Sequence, residues 1–367
     1  MFFFLVFLLY GGIQLYFSAK TIHAFDLAGP GWLLVNAWAL LMTLGPLLLW
    51  RLERWPEYHA FTVAWAWIVF GWMGFSFLFF WLGLAMDIYG GLARVAGLPM
   101  LAMRPVFVAV CSIAMALWML GFYSARHPRV ERLTIISDKL PLGFRGLRIV
   151  QISDLHLGVL IGRSRLDHLL EQIRNLHPDL LVSTGDLVDG EAHYLDGLSD
   201  GFSAYQPRYG KFAVTGNHEQ YAGIGPAVAF HARAGFRLLR GERVTVADAI
   251  TLAGVDDPAV AAGHTDEQGL LARTPPSRFI ILLKHQPVID PAARFDLQLS
   301  GHTHNGQIFP FGLVVKLSYP LIQGRHLLPG GGQLYVSRGT GTWGPPIRIL
   351  APPEITLIEL KRPEAGG

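Results

Sequence analysis

The sequence predicts two parts of different class: an all-α membrane region over residues 1–125 and a layered α/β domain over residues 126–367. Three observations predict it. The long apolar runs are confined to the first part. Beyond it, short β-branched runs recur at regular spacing, each ending in a polar cluster. The composition as a whole is 51% apolar and only 16% charged, against about 25% charged in an ordinary soluble domain. A chain of 367 residues has room for both parts.

In the first part, Phe2–Ser18, Gly31–Trp50, Phe61–Met86 and Pro105–Tyr123 approach the roughly 20 apolar residues that span a bilayer. The first lacks a basic start and a small-residue cleavage site before Lys20, which argues against a cleaved signal peptide. Buried core helices are the alternative for each segment. Four in succession, with Trp and Tyr near several ends, favour an integral membrane protein of about four spans in contact with the lipid bilayer. Asp87, Arg94, Arg104 and the charges of "RLERWPEYH" lie between spans, which disfavours conduction and favours an anchor. With four spans, Arg51, Arg54, Arg126, Arg129 and Arg132 share one side against Lys20, Arg94 and Arg104. Positive charge inside then puts the C-terminal domain on the cytoplasmic face. A net charge of +3 without a basic tract gives no support for nucleic-acid binding. The single Cys111 excludes an intrachain disulfide and a zinc–thiolate site.

In the second part the strand runs are "LRIVQIS", "DLLVSTG", "KFAVTG", "ITLAGV", "FIILLKH", "DLQLSG", "LYVSRG" and "ITLIEL". After the first of them, Leu166, Leu169, Leu170, Ile173 and Leu176 recur at helical spacing behind Ser164 as the expected N-cap. Strand–helix alternation followed by further strands reads as a mixed α/β layered domain. "PGGGQ" around Gly330 reads as a hairpin turn or loop.

The polar clusters ending these runs carry the chemistry. They are Asp154 and His156 in "SDLH", Asp186 in "TGDLVD", Asn217 and His218 in "TGNHE", His285 in "LLKHQP", and His302 and His304 in "SGHTHNGQ". An isolated H-x-H is often no more than surface loop. Here every cluster follows an apolar run, where α/β sheets collect ligands and catalytic groups. Carboxylate, imidazole and amide without thiolate suit manganese, iron or zinc. The number of groups suits two ions, which hydrolytic sites hold about 3.5–4 Å apart. Gly185 allows the backbone to turn sharply where a bridging carboxylate, Asp186, has to sit.

The order D-x-H, G-D-x-x-D, G-N-H-E, K-H, G-H-x-H over residues 145–360 resembles the calcineurin-like metallophosphoesterases. The resemblance implies a four-layer α/β/β/α sandwich with two mixed sheets and two divalent metal ions, manganese first, at the strand ends. It implies that Asp154, His156, Asp186 and His304 hold one ion and that Asp186 (bridging), Asn217, His285 and His302 hold the other. His218 is then the catalytic residue, stabilising the transition state or protonating the leaving oxygen. Glu219 either orients His218 or is an exposed loop carboxylate, and Asp189 reads as a turn or supporting residue. The tail, "GHTHNGQIFPFG" and "LYVSRGTGTWGPPIRILAPPEITLIEL", is similar to the membrane-associated YkuE-type branch, associated with UDP-2,3-diacylglucosamine hydrolysis. Asn305 stands where that branch leads one to expect glycine.

The motif fixes phosphoester hydrolysis rather than a substrate. Two features favour a phosphorylated, lipid-linked one: the membrane region, and "IFPFGLVVKLSYPLI" directly after the H-x-H. That stretch reads either as an apolar lip for acyl chains or as a buried strand pair. Arg348, Arg163, Arg338 and Arg325 are candidates for pairing with phosphate, Arg348 foremost. Soluble nucleotides or phosphoproteins are the alternative substrates. A non-catalytic scaffold is the weakest reading, since every expected ligand is present.

Overall fold

A computed structural model of the chain describes residues 2–261 and 266–363. It falls into two compact units, Met1–Tyr123 with Gly344–Ile347, and Ser124–Trp343 with Arg348–Gly367.

The first unit is helical: α1 (Phe2–Phe25), α2 (Pro30–Leu52), α3 (His59–Val95) and α4 (Met103–Arg126). Among the described residues three stretches are long and apolar enough to cross a membrane: Pro30–Leu52, Pro56–Val95 and Met103–Arg126. The sequence leads one to expect about four, and α1 is the remainder, a helix of 24 residues. Several polar side chains inside the unit pair with each other, as hydrocarbon surroundings favour. Gln14 donates to Ser76 at 3.1 Å and accepts from the Trp72 indole at 2.7 Å. Ser18 donates to Asn36 at 3.0 Å.

The second unit contains two six-stranded mixed sheets. Its elements run β1 (Arg129–Ile136), β2 (Leu147–Ile152), α5 (Arg163–Asn175), β3 (Leu180–Ser183), α6 (Leu198–Ser203), β4 (Lys211–Ala213), α7 (Asn217–Tyr221), α8 (Ile224–Arg233) and β5 (Phe236–Leu238). They continue with β6 (Glu242–Val246), β7 (Ile250–Gly254), α9 (Pro258–Ala261), α10 (Glu267–Ala272), β8 (Phe279–Leu283), β9 (Leu297–Ser300), α11 (Phe311–Ser318), β10 (Gly324–Leu327), β11 (Gln333–Val336) and β12 (Glu354–Lys361). One sheet has the order β1-β12-β2-β3-β4-β5 and the other β10-β11-β9-β8-β7-β6. Each of the eight runs read from the sequence is a strand. "PGGGQ" closes the antiparallel β10–β11 hairpin.

Alternation along the strands assigns the layers. Ile149, Leu180 and Val182 meet Ile281, Leu283 and Leu299 in the core between the sheets. Val150, Ile152 and Leu181 face the other way, onto Leu166, Leu170 and Ile173 of α5 and Phe230 of α8. On the outer face of the second sheet, Ala253, Ile280 and Leu282 cover Leu271 of α10. The result is the expected α/β/β/α sandwich. Each fully buried leucine or isoleucine in these layers contributes about 1.5–3 kcal/mol. The expected cap of α5 is corrected: the helix starts at Arg163 with Gly162 as N-cap and no side-chain cap, so Ser164 lies inside the first turn.

Within each sheet a parallel block sets the geometry. β2, β3 and β4 are parallel neighbours, as are β8, β9 and β11. Their carboxyl ends carry all the polar clusters, so two sheets deliver their loops to one edge of the sandwich.

Candidate metal centre

The loops after β2, β3, β4, β8 and β9 interlock through backbone hydrogen bonds. Asp154 N–H donates to Gly185 O and His156 N–H to Asp186 O, both at 3.0 Å. Across the sheets, His302 N–H donates to Asp154 Oδ1 at 2.9 Å. Asp154, His156, Asp186, His302 and His304 all have φ between 48° and 73°, a left-handed region uncommon for residues other than glycine. Such strain persists only where the surroundings fix it, and it gathers at functional sites. Gly185 supplies the remaining room: its φ is +94°, and a Cβ there would come within 2.6 Å of His285 Nδ1 and 2.7 Å of Gly216 N.

Three groups of donor atoms result, each within 4.8 Å of one another: Asp154, His156 and His304; Asp186, His285 and His302; and His156, Asp189 and His218, which shares His156 with the first. In the first, the Nε2 atoms of His156 and His304 are 3.1 Å apart, and His304 Nε2 is 3.4 Å from Asp154 Oδ1. In the second, His285 Nδ1 donates to Thr184 O at 2.8 Å, leaving Nε2 bare. That Nε2 lies 3.2 Å from Asp186 Oδ2, 3.1 Å from His302 Nδ1 and 3.3 Å from Asn217 Oδ1. Lone pairs thus face one another with too few protons to satisfy them. A cation at each centre satisfies them all, so this donor set fits a divalent ion at both. Asp186 Oδ2 also lies 3.9 Å from His156 Nε2, between the two groups.

The electrostatics divide the ligand histidines. For His285, burial is outweighed by the Asp186 and Asp154 carboxylates, which hold it well above its ordinary value, so an ion bound at its Nε2 has to displace a proton. Burial, then the neighbouring His285, pushes His302 down to about 3. Burial, then Arg348, holds His304 well below its ordinary value. Both are therefore neutral, the form that ligates metal. For His218, burial is outweighed by the Asp189 and Asp186 carboxylates, which lift it to about 9. Its Nδ1 donates to Asp189 Oδ1 at 2.9 Å, leaving Nε2 as the free ring nitrogen. The rings of Tyr221 and Trp343 flank it at centroid distances of 5.1 and 5.6 Å.

Several supporting residues sit differently from expectation. Glu219 is neither exposed nor bonded to His218. It is fully buried and accepts the backbone N–H groups of Asp186, Leu187, Val188 and Gly216 at 2.6–3.3 Å. Its place three residues after the Gly216 N-cap is capping-box spacing, the one signal in the sequence for this role. Asp189 orients His218 and lies 3.4 Å from His156 Nδ1. Asn305 has φ 51° and ψ 30°, which explains the expectation of glycine; asparagine is among the few residues that tolerate this region.

The arginine expectation is corrected for Arg348. Its guanidinium is 1% exposed and donates to the carbonyls of His304, Arg338 and Gly341 at 2.6–3.1 Å. Nη2 lies 3.1 Å from His304 Nδ1. It holds the H-x-H loop in place and has no face left for a substrate. Arg338 is paired with Glu131 and Glu354, Arg163 with Asp167 and Gly197 O, and Arg325 with Gln333. Trp343 escaped the sequence reading, although the side chain of Gln307 bonds both its N–H and its carbonyl at 2.9 Å.

The apolar stretch after the H-x-H is a helix, α11, and the buried-strand reading of it is wrong. No residue of α11 is buried. Phe311, Leu313, Val314 and Leu317 are 46%, 59%, 52% and 85% exposed, and Phe309 before it 54%.

The family model of the calcineurin-like phosphoesterases matches residues 147–306. The chain is 40% identical over 253 residues to an uncharacterized metallophosphoesterase of Aquifex aeolicus, covering 66% of this chain and 97% of that one. It is 36% identical over 244 residues to the uncharacterized metallophosphoesterase YkuE of Bacillus subtilis, covering 62% of this chain and 84% of that one. To a transmembrane protein with metallophosphoesterase domain from Danio rerio it is 35% identical over 262 residues, 65% of this chain and 59% of that protein.

Proposed function

The chain belongs to the calcineurin-like phosphoesterase family and is a metal-dependent phosphoesterase; we propose that it hydrolyses a phosphodiester or pyrophosphate bond in a lipid-linked or UDP-sugar substrate at the membrane surface. The observation that carries the hydrolytic half is the convergence of two donor groups on either side of Asp186. In this reading Asp154, His156, Asp186 and His304 hold one divalent ion, and Asp186, Asn217, His285 and His302 the other, with manganese the first metal to try. Bound there, the ions supply neutralisation of the phosphoryl charge and an activated water for in-line attack.

The chain's own groups supply the rest. His218, raised to about 9 by its carboxylate neighbours, is protonated at neutral pH and presents Nε2–H as the acid for the leaving oxygen. Asp189 fixes that ring by accepting the hydrogen bond from Nδ1–H. Glu219 and Arg348 hold the Asp186 and His304 loops, and Tyr221 and Trp343 shape the approach to His218.

The lipid half of the reading rests on α11, whose apolar side chains are exposed in the segment following His304, and on the helices apolar enough to span a membrane. Acyl chains are the chemistry such a face receives. The count of arginines flanking the spans favours the cytoplasmic face for this unit.

The test is turnover by purified, detergent-solubilised protein loaded with manganese, comparing a diacylated UDP-sugar, its deacylated form and bis-p-nitrophenyl phosphate, with His302→Ala alongside. Preference for the acylated substrate, lost in the variant, is the expected result. Equal turnover with and without acyl chains removes the lipid half. No turnover of any of the three removes the hydrolytic half.

A further inference from the structure

The helical unit contains a feature that phosphoester hydrolysis does not use. A cavity of about 300 Å³ opens between α1, the C-terminal half of α3 and the start of α4, lined among others by Lys20, Asp87, Arg94, Phe79, Phe107 and Val110. It has two chemically distinct ends, and bilayer depth accounts for them. α3 has 37 residues, about 55 Å at 1.5 Å per residue, against a hydrocarbon core of about 30 Å. Its apolar run ends at Met86, so Asp87 to Arg94 emerge at headgroup depth, while Phe79, Phe107 and Val110 stay at acyl-chain depth.

At the polar end the charges do not cancel. Asp87 is neutralised by Lys20 and also accepts from Tyr16 Oη at 2.7 Å. Gly83 makes this possible, since a Cβ there would meet the Tyr16 hydroxyl at 2.7 Å. Arg94 is exposed, and its guanidinium has no hydrogen-bond or ion-pair partner among the described residues. Gly83, Asp87, Gly90 and Arg94 follow one another at helical spacing along one face of α3. Beside them, a Cβ added to Gly91 meets nothing within 4 Å, so this wall of the cavity is bare backbone with room in front of it.

We propose that this cavity binds a single anionic phospholipid, its phosphate on Arg94 beside Lys20 and one acyl chain along Phe79 and Phe107. A guanidinium matches a phosphate by geometry as well as by charge, and the surplus of one positive charge, Lys20 and Arg94 against Asp87, selects an anion over a zwitterion. The lipid is not the substrate. Every residue lining the cavity belongs to the helical unit, which supplies none of the candidate metal ligands.

Native mass spectrometry of the full, detergent-solubilised chain tests it, titrating phosphatidylglycerol, phosphatidylcholine with the same acyl chains, and deacylated glycerophosphoglycerol. Phosphatidylglycerol is expected to bind about tenfold more tightly than phosphatidylcholine, because both present the phosphate but only the choline cation opposes the site's one surplus positive charge. The deacylated headgroup is expected not to bind at the same concentration. Arg94→Gln should bring the two lipids within about twofold, with turnover of bis-p-nitrophenyl phosphate unchanged as the sign of an intact fold. Gly91→Leu, which fills the open wall, should weaken both lipids. Equal affinities in the unaltered protein, an undiminished preference in Arg94→Gln, or tight binding of the headgroup alone overturns the proposal.

Discussion

The loop from His302 to Gln307 and the helix from Phe311 to Ser318 are joined by Ile308–Pro310, yet they are opposites. In the loop nearly every group is spoken for. His302 N–H is on Asp154, Thr303 Oγ1 donates to Ile322 O, Arg348 wraps His304, and Gln307 bonds both backbone groups of Trp343. In the helix no residue is buried, and Leu317 is 85% exposed. The difference teaches where this chain spends its order. Groups that must meet an ion are over-determined by their neighbours, and groups left open mark a surface awaiting something from outside the fold.

Breaking the over-determined region should have the largest effects. Asp186→Ala removes the oxygen that lies between both donor groups, so turnover should fall to background and metal content, measured by plasma mass spectrometry, from two ions towards none. His302→Ala should retain one ion and lose more than the roughly 10- to 100-fold typical of groups that only orient ligands. His218→Asn should keep both ions. It should lose about 10²- to 10⁴-fold on an alkyl phosphodiester, the usual worth of a general acid, and little on a nitrophenyl ester, whose leaving group needs no proton. Equal losses on the two esters would remove His218 from the acid role.

Next come the braces. Glu219→Ala leaves four buried N–H groups without their acceptor, at a cost of about 3 kcal/mol or more in unfolding free energy. Arg348→Met should cost a similar amount and lower turnover by about 10- to 100-fold by freeing His304. Chemical denaturation and steady-state rates, measured together, separate these from Arg163→Met, which should stay within about 0.5 kcal/mol as a surface change.

The comparison also explains what could be read in advance. The eight strands and every candidate ligand were legible because the alternation of apolar residues and the polar cluster at each strand end are local facts of sequence. Less legible was whatever depends on a distant partner. β1 hid because Arg129, Glu131 and Arg132 give it the polar look of an edge, and only Leu133 and Ile135 are buried. Arg348 read as a phosphate ligand because nothing in "GPPIR" reveals that four carbonyls surround it. Trp343 and Tyr221 became visible only once the loops closed on His218. "IFPFGLVVKLSYPLI" offered β-branched residues in the shape of a strand, and local propensity of this kind is easily overridden by context.

The smallest effect on stability is expected in α11, and it sharpens the comparison most. A leucine that is mostly exposed loses little when it becomes polar. Leu313→Ser with Leu317→Ser should therefore leave the unfolding free energy within about 0.5 kcal/mol, unlike Leu170→Ser in α5, where a fully buried side chain carries about 1.5–3 kcal/mol. If the exposed face receives acyl chains, the same double variant should raise KM for the diacylated substrate and leave kcat and the rate on bis-p-nitrophenyl phosphate unchanged, because the metal ligands are untouched. A KM that does not move would show that the open face serves something other than substrate. A large loss of stability would show that α11 is packed in solution after all, and the contrast between the two neighbouring segments would dissolve.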